Sequence, residues 1–320
     1  MKNRLVVLAG GAGTRLYPLS TEESPKQFTK FFHGKSLYQM TLERFLPWVD
    51  EFLVVTLEKY RETAIEQADG VGVSVEVVVE PVRKNTLAAI TAAAMVLDEP
   101  FLVTPADHVA EYGSTEFGAF SRALEYSKHG VVLFGITPRF PATEYGYIQP
   151  GTVEGGFFTV ERFHEKPDKE LARKYVESGY LWNSGMFAVD PEWFLDDLAR
   201  VAPLYLEKVE QYLRDGDEFA YRALPDLSFD KGYLERARKL YLAKLDAKWS
   251  DLGSYRAIHE YFPKDENGNV LINARAVDCR NCLVINADVC CLTDAVIVNA
   301  NGRTYAGPLD ELAAPKRFAV

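Results

Sequence analysis

Residues 4–28 read RLVVLAGGAGTRLYPLSTEESPKQF, and this stretch decides the fold. Arg4 to Ala9 is a short apolar run suited to a buried strand. It breaks at Gly10, Gly11 and Gly13, where the backbone can come close to a polyphosphate and turn its N–H groups toward it. Arg15 and Lys26 add positive charge. The register excludes two common phosphate motifs: Gly11, Gly13 and Leu16 miss G-x-G-x-x-G, and no G-K-[ST] follows. A plain glycine-rich turn is the competing reading.

Outward from this stretch the chain alternates β-branched runs with helical patterns, which predicts an α/β, Rossmann-like, mostly parallel sheet covered by helices. Strands are expected at Arg4 to Ala9, Phe52 to Thr56, Val73 to Val79, Phe101 to Thr104 and Val131 to Ile136. Helices are expected at Lys59 to Ala68, Thr86 to Leu97 and Glu116 to Ser127. In such sheets ligands gather beyond the carboxyl ends of the strands. From Glu144 to about Asp190 the pattern turns irregular, with short strands at Phe157 to Phe163 and Met186 to Val189, and reads as a substrate-side insertion. Helices follow at Pro191 to Leu213 and Lys231 to Lys239, then a strand at Leu240 to Lys244 and a helix at Tyr255 to Tyr261.

PKDENGN, Pro263 to Asn269, is turn-rich and marks the expected boundary between a domain of residues 1–262 and a small all-β unit of residues 263–320. In that unit LINA (Leu271 to Ala274), VINA (Val284 to Ala287) and IVNA (Ile297 to Ala300) recur. A short β-helix and a plain meander both fit three such strands. All four cysteines, Cys279, Cys282, Cys290 and Cys291, lie here. Their spacing lacks the two separated pairs of a structural zinc site, and adjacent Cys290 and Cys291 on a strand point to opposite faces, so buried free thiols or a disulfide are the readings kept.

The 320 residues are 48% hydrophobic and 26% charged with a formal charge of −10, a balance that argues against nucleic-acid binding. No apolar run approaches the roughly 18 residues of a membrane span. The opening segment is too short in apolar residues for a signal peptide, so a cytoplasmic location is expected.

Five further segments carry candidate chemistry. EPVRKNT (Glu80 to Thr86) follows the third strand, where Asn85 or Thr86 could equally cap a helix. TPADH (Thr104 to His108) puts Asp107 at a carboxyl-end loop, where a carboxylate can hold Mg²⁺. His108 either orients that loop or packs. EYGYI (Glu144 to Ile148) places Gly146 where backbone comes close, FHEKPD (Phe163 to Asp168) offers Glu165 and Lys166, and WNSGMF (Trp182 to Phe187) offers Asn183. Lys166 before Pro167 could also be a solvated loop lysine. His164 faces away from its neighbours on a strand and is left out.

Together these ordered motifs resemble the sugar nucleotidyltransferases, and the PKQF ending is similar to mannose-1-phosphate guanylyltransferases, including those related to type 2 mannose-6-phosphate isomerases. The resemblance covers nearly all of residues 4 to 262. It implies a GT-A-like nucleotide-diphospho-sugar transferase fold with a mixed sheet, and transfer of GMP from GTP to mannose 1-phosphate with release of pyrophosphate. By resemblance Arg15, Lys26 and Lys166 are catalytic, and Ala9, Gly10, Gly11, Gly13, Thr14, Glu80, Asn85, Thr86 and Asp107 bind the nucleotide. Gly146, Glu165, Lys166 and Asn183 bind the sugar phosphate, and Asp107 with Asp251 of WSDLGSY holds Mg²⁺. The resemblance also implies a homodimer. Tyr17 and Tyr255 stand where the family usually has Trp, Leu87-Ala88 replaces a common Ala-Pro, and LSFDKGYLE (Leu227 to Glu235) carries Lys231 where Tyr is usual. These departures leave open another hexose 1-phosphate with UTP or dTTP. A non-catalytic subunit that senses nucleotide sugars is a further alternative, against which the joint presence of Arg15, Lys26, Asp107, Lys166 and Asp251 counts. The D-x-D at Asp215-Gly216-Asp217 reads as a solvated turn rather than a glycosyltransferase metal motif, and the stripe Tyr205, Leu206, Val209, Tyr212, Leu213 as core packing.

Overall fold

The computed structural model describes residues 2–310 except 12, 31 and 33. The last ten residues of the expected C-terminal unit and the side chain of Thr14 lie outside the described residues.

Strands β1 (Arg4–Leu8), β2 (Glu51–Leu57), β3 (Val75–Glu80) and β4 (Phe101–Pro105) alternate with helices α1 (Leu37–Phe45), α2 (Arg61–Asp69) and α3 (Asn85–Val96). After β4 come β5 (Val109–Ala110), α4 (Ser114–Tyr126), β6 (Val131–Ile136), β7 (Tyr147–Glu154), β8 (Phe157–His164), α5 (Lys169–Glu177) and β9 (Leu181–Val189). Helices α6 (Pro191–Val201), α7 (Pro203–Asp215), α8 (Glu218–Arg222) and α9 (Phe229–Gly232) precede β10 (Leu240–Leu245), β11 (Trp249–Ser250) and α10 (Tyr255–Tyr261).

Nine strands form one sheet in the order β3-β2-β1-β4-β9-β6-β10-β8-β7. The run from β3 to β4 is parallel. Strand β9 enters antiparallel between β4 and β6, so the sheet is mixed rather than mostly parallel. Strand β1 is apolar throughout its centre because it is covered on both faces: Leu5 and Val7 face one core, with Tyr38 and Phe120, and Val6 faces the other, with α3, Phe194 and Phe229. The neighbours of β1 on either side follow it in sequence by opposite routes, which opens a crevice at the carboxyl ends of β1 and β4. A two-stranded ribbon pairs Trp249 with Ala110 and Ser250 with Val109, and it returns Asp251 to the neighbourhood of Asp107.

Two expected helices differ. Pro191 to Leu213 divides into α6 and α7, because Pro203 starts a new helix after Ala202 leaves helical backbone. Lys231 to Lys239 is no continuous helix; the four-residue α9 is followed by a single 3₁₀ turn at Leu234–Arg236. The Asp215 turn has a local role: Gly216 ends α7 at φ 71°, and Asp217 caps α8 by accepting from Ala220 N. Tyr205 and Val209 of the α7 stripe are buried against α3 and its neighbours.

The C-terminal segments settle as a parallel coil. Strands β12 (Val270–Ile272), β14 (Leu283–Ile285) and β16 (Ala295–Ala300) stack in one sheet and β13 (Arg275–Val277) with β15 (Asp288–Cys290) in another, while β17 (Arg303–Pro308) closes the end as an antiparallel hairpin. Rungs repeat every thirteen residues, and Asn273 donates to Asn286 in the next rung. Asn273 and Asn286 both take positive φ at the corner, a conformation that asparagine tolerates. All four cysteines are free, with Cys279 and Cys282 buried and Cys290 and Cys291 exposed. No helix among the described residues is long and apolar enough to cross a membrane.

Candidate active site

The loop after β1 is held from behind by Gln27. Its amide Nε2 donates to the carbonyls of Ala9 at 2.8 Å and Gly11 at 2.7 Å, which uses both of its hydrogens and turns those carbonyls inward. Gly10 is held by Arg83, whose Nε donates to the Gly10 carbonyl at 3.0 Å. Gly13 has φ 62°, and a Cβ there would overlap the Lys26 Cβ, so the loop and the PKQ segment meet at a glycine for steric reasons. Thr14 and Arg15 begin a 3₁₀ turn, and the exposed Arg15 lines a cavity of about 420 Å³ with Gly13, Lys26, Asp107, His108 and Asp251.

A second cavity of about 240 Å³ lies on the other side of Asp107. Gly10, Gly11, Gln27, Glu80, Arg83, Asn85 and Thr86 line it. Glu80 is buried and accepts from the Tyr221 hydroxyl at 2.7 Å; burial pushes its carboxyl up to about 7 despite that bond and the nearby Arg83. Neither Asn85 nor Thr86 serves as the N-cap of α3, a place taken by Lys84. Thr86 Oγ1 instead accepts from Phe229 N at 2.7 Å, tying the start of α3 to the segment that carries Asp230.

Lys26 stands between the two carboxylate residues. Its buried ammonium lies 3.2 Å from Asp107 Oδ2 and donates to the Asp251 backbone carbonyl. Burial works against ionisation of Asp107, yet Lys26 and His108 beside it hold its carboxyl below the usual range. Burial likewise lowers His108, whose ring packs edge-on against Trp249 at 5.3 Å. Asp251 Oδ1 accepts from the Tyr145 hydroxyl at 3.0 Å and Gly253 N at 2.9 Å, and Oδ2 has no hydrogen-bond partner among the described residues. Among those residues no group of three or more His, Cys, Asp or Glu is placed to hold a metal. Two carboxylates beside a glycine-rich loop still suit Mg²⁺, which takes one or two carboxylates and fills its shell with substrate oxygens and water.

Next to this, Gly146 packs so closely that a Cβ would lie 3.0 Å from Phe163 Cζ, 3.1 Å from Glu165 Oε2 and 3.5 Å from Asn183 Cβ. Glu165 pairs with Lys166 at 2.7 Å, and Lys166, with φ 44°, keeps about half its side chain exposed. Asn183 donates to Asp230 Oδ1 at 2.7 Å; burial, with Glu165 nearby, pushes the Asp230 carboxyl up to about 6. The dipeptide Tyr145-Gly146 joins the two halves, one residue on Asp251 and the next against Glu165 and Asn183. His164 stacks on Tyr175 at 4.8 Å, in a separate aromatic cluster.

Five residues of this arrangement were not singled out from sequence: Gln27 as a latch, Arg83, Tyr145, Tyr221 and Asp230. Four sit within quoted motifs. Tyr221 lies in α8 with nothing in its surroundings to mark it.

Residues 4–268 match the family of nucleotidyl transferases. Mannose-1-phosphate guanylyltransferases of Klebsiella pneumoniae and Escherichia coli are each 38% identical over 306 residues, which is 88% of this chain and 65% of theirs. The chain thus spans about 65% of the length of those curated relatives. The crystal structure of a mannose-1-phosphate geranyltransferase from Thermus thermophilus superposes with a TM-score of 0.90 at 32% identity, covering 99% of this chain and 98% of that one. The glycine-rich cradle, the carboxylate pair and a match running from β1 past α10 lead to one conclusion: the chain belongs to the nucleotidyl transferase family.

Proposed function

We propose that the protein transfers GMP from GTP to mannose 1-phosphate, giving GDP-mannose and pyrophosphate. The observation that carries this reading is the meeting of two cavities at Asp107, one walled by the glycine loop and Glu80, the other by Arg15, Lys26 and Asp251. The names of the Klebsiella and Escherichia relatives support guanine and mannose.

An oxygen of the sugar phosphate attacks the α-phosphorus of the triphosphate, a new P–O bond forms, and the bond to the β-phosphate oxygen breaks in line. The nucleophile is already ionised at neutral pH, so no general base is needed. Positioning and charge neutralisation do the work. Loop N–H groups of Gly10, Gly11, Gly13 and Thr14 cradle the triphosphate, and Arg15 and Lys26 offset its charge. Glu80, Asn85 and Thr86 face the nucleoside. Gly146, Glu165 and Asn183 take the sugar, and Lys166 holds its phosphate. Asp107 and Asp251 would hold Mg²⁺, which when bound supplies further neutralisation at the reacting phosphates.

In this proposal the enzyme works in the cytoplasm as a homodimer, with residues 1–262 catalytic and 263–320 forming an appended unit. Kinetics with GTP, UTP and dTTP against mannose and glucose 1-phosphates test the substrate pair, and a clear preference for UTP or dTTP would overturn guanine. Pyrophosphate release that disappears in Asp107→Ala is expected; no release from any pair would favour a nucleotide-sugar sensor. Sedimentation of the intact chain tests the dimer.

A further inference from the structure

The far side of the glycine loop rests on the C-terminal coil. Leu16 and Leu19 are all but fully buried, and they share one core with Leu252, Tyr255 and Ile258 and with Val270, Leu283, Val296 and Val298 of the coil. Two side-chain donors reach the loop's carbonyls from below, the Tyr255 hydroxyl sharing its hydrogen between two of them. The Tyr255 hydroxyl lies 2.8 Å from Leu16 O and 3.0 Å from Tyr17 O, and its ring stacks on Tyr305 of β17 at 5.7 Å. Asn301, in the turn between β16 and β17, donates its amide to Pro18 O at 2.9 Å.

The gripped segment is rigidly tied to the phosphate-facing one. Leu19 N donates to Leu16 O at 2.7 Å, Ser20 N donates to the same carbonyl at 3.2 Å, and the Ser20 hydroxyl donates to Gly13 O. Gly13 in turn abuts Lys26. A displacement of residues 16–20 therefore reaches Arg15 and Lys26 with no soft joint between, as interiors packed at crystal density transmit strain.

We infer that the C-terminal coil is the seat of the nucleotide loop, and that Asn301 and Tyr255 are positioning residues for triphosphate binding. The inference rests on the proposed reaction for its kinetic consequence and on packing alone for its structural one. The coil then has a part in catalysis within its own chain, whatever it does between chains.

Two variants of the full chain test this. Asn301→Gly keeps the turn's positive φ of 50° and deletes only the amide. Tyr255→Phe keeps the stacked ring and deletes the hydroxyl. Hydrogen exchange by mass spectrometry should show the amides of residues 13–20 exchanging several-fold faster in both, with β14 and β16 as protected as in the wild type. The KM for GTP should rise about three- to tenfold, the scale of one lost hydrogen bond, with the KM for mannose 1-phosphate unchanged. Unchanged loop exchange would overturn the inference, and so would exchange rising equally throughout the coil, which is what a merely structural role gives. The exchange arm decides the matter even if the chain turns over neither substrate, a result that would count against the proposed reaction alone.

Discussion

The ammonium of Lys26 lies 3.2 Å from Oδ2 of Asp107 in a residue only 3% exposed. The Asp107 side chain is 35% exposed, so it is the buried lysine whose charge is costly to leave without its partner. Here the cation also holds the Asp251 carbonyl, so one side chain ties the glycine loop's neighbour to both carboxylate residues.

Lys26→Met fills the volume and deletes the charge. Pyrophosphate release should fall about 10²-fold or more, the scale for removing a preorganised charge from a reacting phosphate. A loss under about threefold would count against a role at the phosphates.

Gln27→Met removes both amide donors, so the Gly11 carbonyl loses its Gln27 partner and the Ala9 carbonyl keeps only the Thr56 hydroxyl at 3.1 Å. Urea unfolding should show a loss of about 1–3 kcal/mol. GTP binding should weaken as well, since the loop's inward-facing carbonyls lose their anchor.

Gly13→Ala strains the backbone at φ 62° and drives a methyl into Lys26. A destabilisation of about 1–3 kcal/mol is expected, accompanied by a larger fall in kcat than Gly11→Ala, where nothing lies within 4 Å of the added carbon.

The pH dependence of stability should carry the mark of Glu80, whose carboxyl is pushed up to about 7 by burial. Below about pH 4.5 it is protonated in both folded and unfolded chains. Between about pH 4.5 and 7 only the folded chain keeps the proton, so the contribution present in acid is lost as pH rises through 7. Wild type should lose stability relative to Glu80→Gln on going from about pH 5 to pH 8, by up to about 3 kcal/mol. Parallel melting curves for the two proteins across that range would refute the assignment.

Alkylation should separate the thiols by burial. Iodoacetamide on the native chain should label Cys290 and Cys291, with Cys279 and Cys282 reacting only after denaturation, as peptide mapping by mass spectrometry can read.

The parallel half of the sheet was legible in sequence because its strands are covered on both faces and read as unbroken apolar runs, Leu5 to Leu8 being the clearest. Strand β9 was only half legible. Its outer part carries Asn183, which bonds Asp230 at the site, the buried Ser184, which bonds the Phe134 carbonyl in the core, and Gly185, so the apolar signal begins at Met186 although the strand begins at Leu181. The stretch at Lys231 to Lys239 has helical composition, but Tyr233 is drawn inward by its bond to buried Asp197, and the chain follows it out of the helix.

At the site, the glycines and the charged residues announced themselves by type. Tyr145 and Asp230 did not, because their contribution depends on partners distant in sequence: Tyr145 on Asp251, which only the β5–β11 ribbon brings near, and Asp230 on Asn183. The three Asn-Ala segments left a meander and a coil equally open, since the difference lies in strand direction. The corner residues at positive φ, Asn273 and Asn286, lead the chain from one sheet of the coil to the other.

That coil has a property of length. Each rung places its asparagine over the one thirteen residues earlier, and the β16–β17 hairpin closes the far end. An insertion of one whole rung between β12 and β14 would lengthen the stack while leaving the hairpin's local pairing intact, whereas one of about half a rung would set apolar strands against polar corners. Variation in the size of this part of the molecule is therefore quantised, and its unit can be counted directly from the chain.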